Sequence, residues 1–233
     1  MFGMNTLQLS PLTMSPMTLA PINPSFLPAT QLPMSFLISD QTTRMISAVS
    51  GGPHTGPVAG IDRDMIIATP DNINVNALVK NVFIHTGAGE DAIDVSATGG
   101  TNVLDGSTGS NFLVGAALPS NDTFFVDDRN ATASIWDTIK NFHSGDNATI
   151  FGITRNDFTI TTLDNQGAAG NTGLTFDFSA SGKAAARMTL VGFTSTDLTN
   201  GKLTTSFGTT AVTPATATSP ALPGADFMMI HAT

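Results

Sequence analysis

Between Lys80 and Arg129 the chain carries Glu90, Asp91, Asp94, Asp105, Asp122, Asp127 and Asp128, with no Lys or Arg among them. Carboxylates gathered without a cationic partner repel one another unless solvent, salt or a bound cation compensates them. Glycines alternate with these acids, as in "HTGAGEDAIDV" (His85 to Val95) and "LDGSTGSNFLVG" (Leu104 to Gly115). The combination suits a hard cation such as calcium, which takes several oxygen ligands. Tight glycine turns present backbone carbonyls, and the short strand that follows adds a side-chain oxygen. The candidate ligands are the side chains of Asp91, Asn102, Asn111 and Asp122 and the carbonyls of Gly87, Gly89 and Gly109.

Gly87, Gly89, Asp91 and Ile93 fit the nonapeptide pattern G-G-x-G-x-D-x-(large apolar)-x. Most other positions where that pattern asks for aspartate hold asparagine, so an ion would meet one carboxylate where a full site offers two. Two readings stay open: a weak calcium site, or an asparagine ladder that hydrogen-bonds between coils without metal.

Other chemistry finds little support. The absence of cysteine excludes disulfides, thiolate zinc sites and cysteine nucleophiles. There is no G-x-S-x-G and no H-E-x-x-H, and Ser181-Gly182-Lys183-Ala184 is not a complete phosphate loop. His54, His85, His143 and His231 have no ligand spacing, and His85 would have to serve alone as a base. No enzyme is expected. Trp136 reads as a packing anchor at a junction between elements, and His143 as a turn residue bonded locally.

The elements that must position these residues follow from a short repeat. A triplet of Asp or Asn, any residue and a large apolar residue begins at Asn81, Asp91, Asn102, Asn111 and Asp122, after steps of 10, 11, 9 and 11 residues. This predicts short strands joined by tight turns and stacked in parallel, two repeats to a coil, with Phe83, Ile93, Leu104, Leu113 and Phe124 pointing inward. Asp91 then stacks on Asn111, and Asn81, Asn102 and Asp122 lie on the other side.

The flanks differ. Residues 1–39 contain no charged residue and place Pro11, Pro16, Pro21, Pro24, Pro28 and Pro33 at short intervals, a spacing that predicts neither helix nor ladder strand. Beyond Trp136, β-branched runs alternate with "HSGD", "NQGAAGNTG" and "SASGK", which predict antiparallel strands covering the open end of the coil. The chain divides into a disordered Pro/Met-rich arm (1–57), a short parallel β-roll (58–135), an antiparallel cap (136–208) and a tail (209–233). The fold class expected is all-β.

Residues 58–208 resemble the hemolysin-type RTX calcium-binding β-roll family, in particular alphaproteobacterial members. The resemblance rests on "NVLDGSTGSNFLVG", "DTFFVDDRN", "KLTTSFG" and the D-T-I-x-x-F-x-x-G-D element from Asp137 to Asp146. It implies calcium as cofactor and export through type I secretion machinery, hence an extracellular or cell-surface location. The tail "GADFMMIHAT", with Asp226 before the apolar run Phe227 to Ile230, is similar to the uncleaved signal of such exported proteins.

A formal charge of −9 disfavours nucleic acid as partner, and prolines interrupt the apolar N-terminal segment too often for a membrane span. The sequence therefore points to a secreted, non-catalytic calcium-binding protein that folds on export. A second reading is a surface or biofilm-matrix protein that self-assembles into oligomers or filaments through the coil ends and the arm. A carbohydrate-binding module is a third, with one Trp and no Tyr to serve as stacking platforms.

Overall fold

Three-residue strands such as Ala92–Asp94, Val103–Asp105 and Phe112–Val114 are too short to be stable singly, so they gain their stability by stacking. The computed structural model describes residues 34–38, 60–66, 70–129, 131–211 and 224–233. The expectations for the arm over 1–33 and for the stretch 39–59 lie outside the described residues.

Strands β2 (Arg63–Ile66), β4 (Val82–His85), β6 (Val103–Asp105) and β8 (Thr123–Asp127) form one parallel stack. Strands β3 (Ile73–Ala77), β5 (Ala92–Asp94) and β7 (Phe112–Val114) form the other. The chain passes from one sheet to the other at each turn, so two strands complete a coil, as the repeat requires. The all-β fold with parallel sheets is the one adopted.

Ile93, Leu104, Leu113 and Phe124 are fully buried between the sheets, as expected. Phe83 is not one of them. Val82 and Ile84 face the core, and Phe83 lies on the outer face paired with Val103. The coil advances by 20 residues, so Val82 rather than Asn81 corresponds to Asn102; Asn81 falls one residue short and turns the chain at φ 59°. A shift of one residue along a strand exchanges its two faces.

Three further corrections concern the flanks. Strand β1 (Met34–Ile38) adds to β3 in parallel although it lies in the stretch expected to be strand-free; it begins just after Pro33, where proline no longer removes ladder donors. Strands β9 (Ile135–Lys140) and β10 (Asn147–Phe151) were expected to be antiparallel but continue the roll, pairing in parallel with β7 and β8. Residues 226–232 form strand β15 (Asp226–Ala232), which is integral to a sheet.

The cap consists of β11 (Thr159–Ala168), β12 (Asn171–Ser179) and β13 (Ala186–Val191), antiparallel to one another and joined in parallel to β9. Helix α1 (Ser195–Thr199) leads to β14 (Leu203–Thr209), and β15 pairs antiparallel with both β14 and β10. The two sheets run β1-β3-β5-β7-β9-β13-β12-β11 and β14-β15-β10-β8-β6-β4-β2. A continuous apolar core runs from Ile73 and Ile84 through Phe124 and Ile139 to Phe176 and Met228. Removing one of its large side chains, as in Leu113→Ala, would cost about 2–5 kcal/mol.

Candidate functional site

The residue that opens a short strand, or the one just before it, carries a backbone N–H at the corner of the coil, and a buried N–H needs a partner. Aspartate and asparagine supply it. Ile73 N–H donates to Asp91 Oδ1 (2.8 Å), Asp91 N–H to Asn111 Oδ1 (3.0 Å) and Asn111 N–H to Asp137 Oδ1 (2.9 Å). On the opposite edge Val82 N–H donates to Asn102 Oδ1 (3.4 Å), Asn102 N–H to Asp122 Oδ1 (3.0 Å) and Asp122 N–H to Asp146 Oδ1 (2.7 Å). Asp91, Asn102, Asn111, Asp122, Asp137 and Asp146 are all buried.

The stacking of Asp91 on Asn111, and of Asn102 with Asp122 on the other side, is therefore present. Asn81 stands outside the ladder and accepts from Thr101 N–H (3.0 Å). Asp137 and Asp146 extend the two ladders, although the repeat did not single them out as site residues. Their steps of 26 and 24 residues break the 20-residue interval, and their signal was the D-T-I-x-x-F-x-x-G-D element itself.

The two edges differ in what they leave free. On the Asn102 edge, Asp122 Oδ1 also accepts from Asn102 Nδ2 (2.9 Å) and Oδ2 from Ala116 N–H (2.7 Å). Asp146 Oδ2 accepts from His143 N–H (2.7 Å), the local bond expected of that turn. On the Asp91 edge, Asp91 Oδ2 and Asp137 Oδ2 are buried and make no hydrogen bond of proper geometry among the described residues.

Glycines shape the turns beside that edge. Gly87 and Gly89 lie between β4 and β5, and Gly109 between β6 and β7. A side chain at Gly89 would lie 2.5 Å from the Asp71 carbonyl and 2.8 Å from Asp91 Oδ1. At Gly109, which has φ +113°, it would collide with the Gly89 carbonyl. The carbonyl oxygens of Asp71 and Gly89 and the Oδ1 of Asp91 thus border a space kept open by the lack of Cβ atoms. This donor set fits a calcium ion that is held mainly by neutral oxygens. Among the described residues no three His, Cys, Asp or Glu side chains gather into a metal-holding group.

Burial governs the electrostatics. It pushes the Asp137 carboxyl up to about 8 and that of Asp146 to about 7. The Asp91 carboxyl is also raised, chiefly by burial and held back in part by nearby Thr86 and by the Ile73 N–H. Burial shifts each of these acids toward its protonated form, and a cation would favour the charged form instead.

His85 ends β4 on the outer face, where its Nδ1 meets Asp105 Oδ2 at 2.8 Å and its ring stacks on Phe83 at 6.4 Å. That hydrogen bond raises the His85 pKa above its ordinary value. Trp136 joins β9 to β13, donating from Nε1 to Thr189 Oγ1 (2.8 Å), with the Arg187 guanidinium 5.2 Å from its ring centre. Three more aspartates close turns on the surface: Asp94, Asp105 and Asp127 each accept the backbone N–H two residues on, from Ser96, Ser107 and Arg129.

Compared with family models, curated proteins and solved structures, the chain gives no match. Among the described residues no helix is long and apolar enough to cross a membrane.

Proposed function

We propose that the roll is the calcium-binding module of a secreted, non-catalytic protein, and that the ion binds along the edge carrying Asp91. The observation that carries this reading is the buried Asp91 carboxylate, whose Oδ1 borders the stacked glycine turns and whose Oδ2 makes no hydrogen bond of proper geometry among the described residues. Asp91 would provide the charged ligand, and Asn111 with the carbonyls of Gly87, Gly89 and Gly109 the neutral ones. Asn102 and Asp122, whose oxygens already serve the opposite ladder, act as the metal-free part of the same device.

A bound cation offsets the cost of burying carboxylates, so binding and folding are coupled. A calcium concentration one hundred times the dissociation constant adds about 2.7 kcal/mol to stability. Inside a cell, where free calcium is low, the chain stays loose enough for type I export with its C-terminal residues accessible. Outside, it folds, and residues 226–232 enter their sheet.

Titration calorimetry of calcium into the wild type and Asp91→Asn tests the assignment. Saturable binding that weakens about tenfold or more in Asp91→Asn, about 1.4 kcal/mol, is expected. Equal affinity in the two proteins would remove Asp91 from the site.

Self-assembly at a surface is the second reading. It draws on the outer edges of β1 and β2, unpaired among the described residues, and on the exposed Leu37, Ile66 and Leu78 at that end of the roll. Oligomers that persist in chelator would favour it over the calcium module.

A further inference from the structure

At the cap end β11 and β14 are the outermost strands of the two sheets, and a groove of about 430 Å³ opens between them. Small-molecule sites begin at about 300 Å³. Phe176 of β12 and Met228 of β15, each 2 % exposed, form the floor. The walls are Ile160, Leu198 and Phe207, which pack on the core yet stay partly exposed. From Phe158, just before β11, to Thr162 the chain follows the groove for about 13 Å, at about 3.3 Å per residue.

The two ends differ. Ser195 N–H and Oγ donate to Asp164, two residues past Thr162, and so hold α1 with its Leu198 at that end. Toward the other end the Arg155 guanidinium lies 4.9 Å from the Phe207 ring centre. Arg129, Arg187 and Lys202 each hold an aspartate, whereas Arg155 makes no ion pair among the described residues. Asp157 accepts from Thr154 Oγ1 and Asp226 from Thr209 Oγ1, and neither reaches that guanidinium. An apolar channel thus carries one unpaired cation at its mouth.

We infer that this groove binds a medium-chain carboxylic acid, with its carboxylate on Arg155 and its alkyl chain running along Ile160 toward Leu198. The parallel N–H donors of a guanidinium suit a planar carboxylate. Apolar walls offer no partner to further polar groups, so the rest of the ligand must be hydrocarbon. The groove is longer than a single ring is wide, which favours a linear chain. A polyanionic head is the poorer fit, because a chain of net charge −9 repels it. No residue of the groove belongs to the calcium edge, so either site is testable without the other.

The test is titration of decanoate into the full-length protein, followed by the methyl resonances of Ile160 and Leu198. Saturable shifts with a dissociation constant of about 0.1 mM or tighter are expected. Octanoate, two methylenes shorter, should bind about tenfold more weakly. Decanol, which lacks the charge, should also lose about tenfold. Arg155→Met should remove the preference for decanoate over decanol; it alters an exposed side chain, and a thermal melt would verify that the fold is kept. Absence of saturable shifts in the wild type, equal affinity for decanol or for octanoate, or a preference unchanged in Arg155→Met would each overturn the inference. Shifts elicited by anionic phospholipid vesicles and not by decanoate would overturn it as well.

Discussion

Asp137 is wholly buried, with one oxygen receiving the Asn111 N–H and the other unpartnered among the described residues. Its pKa stands at about 8 against an ordinary 3.8, so the folded chain keeps a proton that the unfolded chain releases above about pH 4. The stability of the chelated protein should therefore fall as pH rises from about 4 to about 8. Urea unfolding in chelator across that window checks it, and Asp137→Asn should remove much of the slope. Rising stability over the same window would contradict this picture. His85 behaves in the same sense. Its raised pKa means that the bond to Asp105 stabilises the fold at low pH and is lost as pH rises through the folded value. Asp105→Asn should move the His85 titration, read by NMR, down toward its ordinary value; an unchanged midpoint would deny the pair its role. At this scale the sequence disclosed Asp91 and Asn111 because a 20-residue interval repeats. It concealed Asp137 and Asp146, because longer turns before β9 and β10 stretch the interval without moving the side chains off the ladder.

Strands and turns obey the same division between pattern and context. Gly109 stacks on the Gly89 carbonyl at φ +113°, whereas Gly201, at φ +76°, faces open space. Gly109→Ala should therefore cost about 2 kcal/mol or more and Gly201→Ala about 1 kcal/mol, compared by urea unfolding. Equal costs would mean that the stacked turns yield readily. The apolar triplets revealed the coil because a three-residue strand buries one large side chain on each pass. They mislead at Phe83, where the triplet recurs one residue out of step and Asn81 turns the chain. Alternation of apolar and polar residues does not distinguish parallel from antiparallel pairing. That is why β9 and β10, flanked by hairpin-like turns, read as part of the cap. Trp136 was legible as an anchor, but its bond to Thr189 depends on the return of the chain 53 residues later.

For the whole molecule, the C-terminal residues are the informative case. The sequence presents Phe227 to Ile230 as an apolar tail, yet β15 lies between β14 and β10 and buries Met228 and Ile230. Deleting residues 226–233 should expose both neighbours and lower the melting temperature by several degrees at least, as calorimetry would register. An unchanged melting temperature would return the segment to the status of an appendage. A strand that joins the roll through a partner some 80 residues earlier leaves no local trace of that pairing beyond its alternation, so its place in the sheet could not be read from composition. The most direct test of calcium-coupled folding is urea unfolding of the purified wild-type protein, in chelator and in calcium, at one pH and ionic strength. The midpoint should rise with calcium concentration and saturate, and the rise should shrink in Asp91→Asn. Coincident unfolding curves for the wild type in chelator and in calcium would contradict the account.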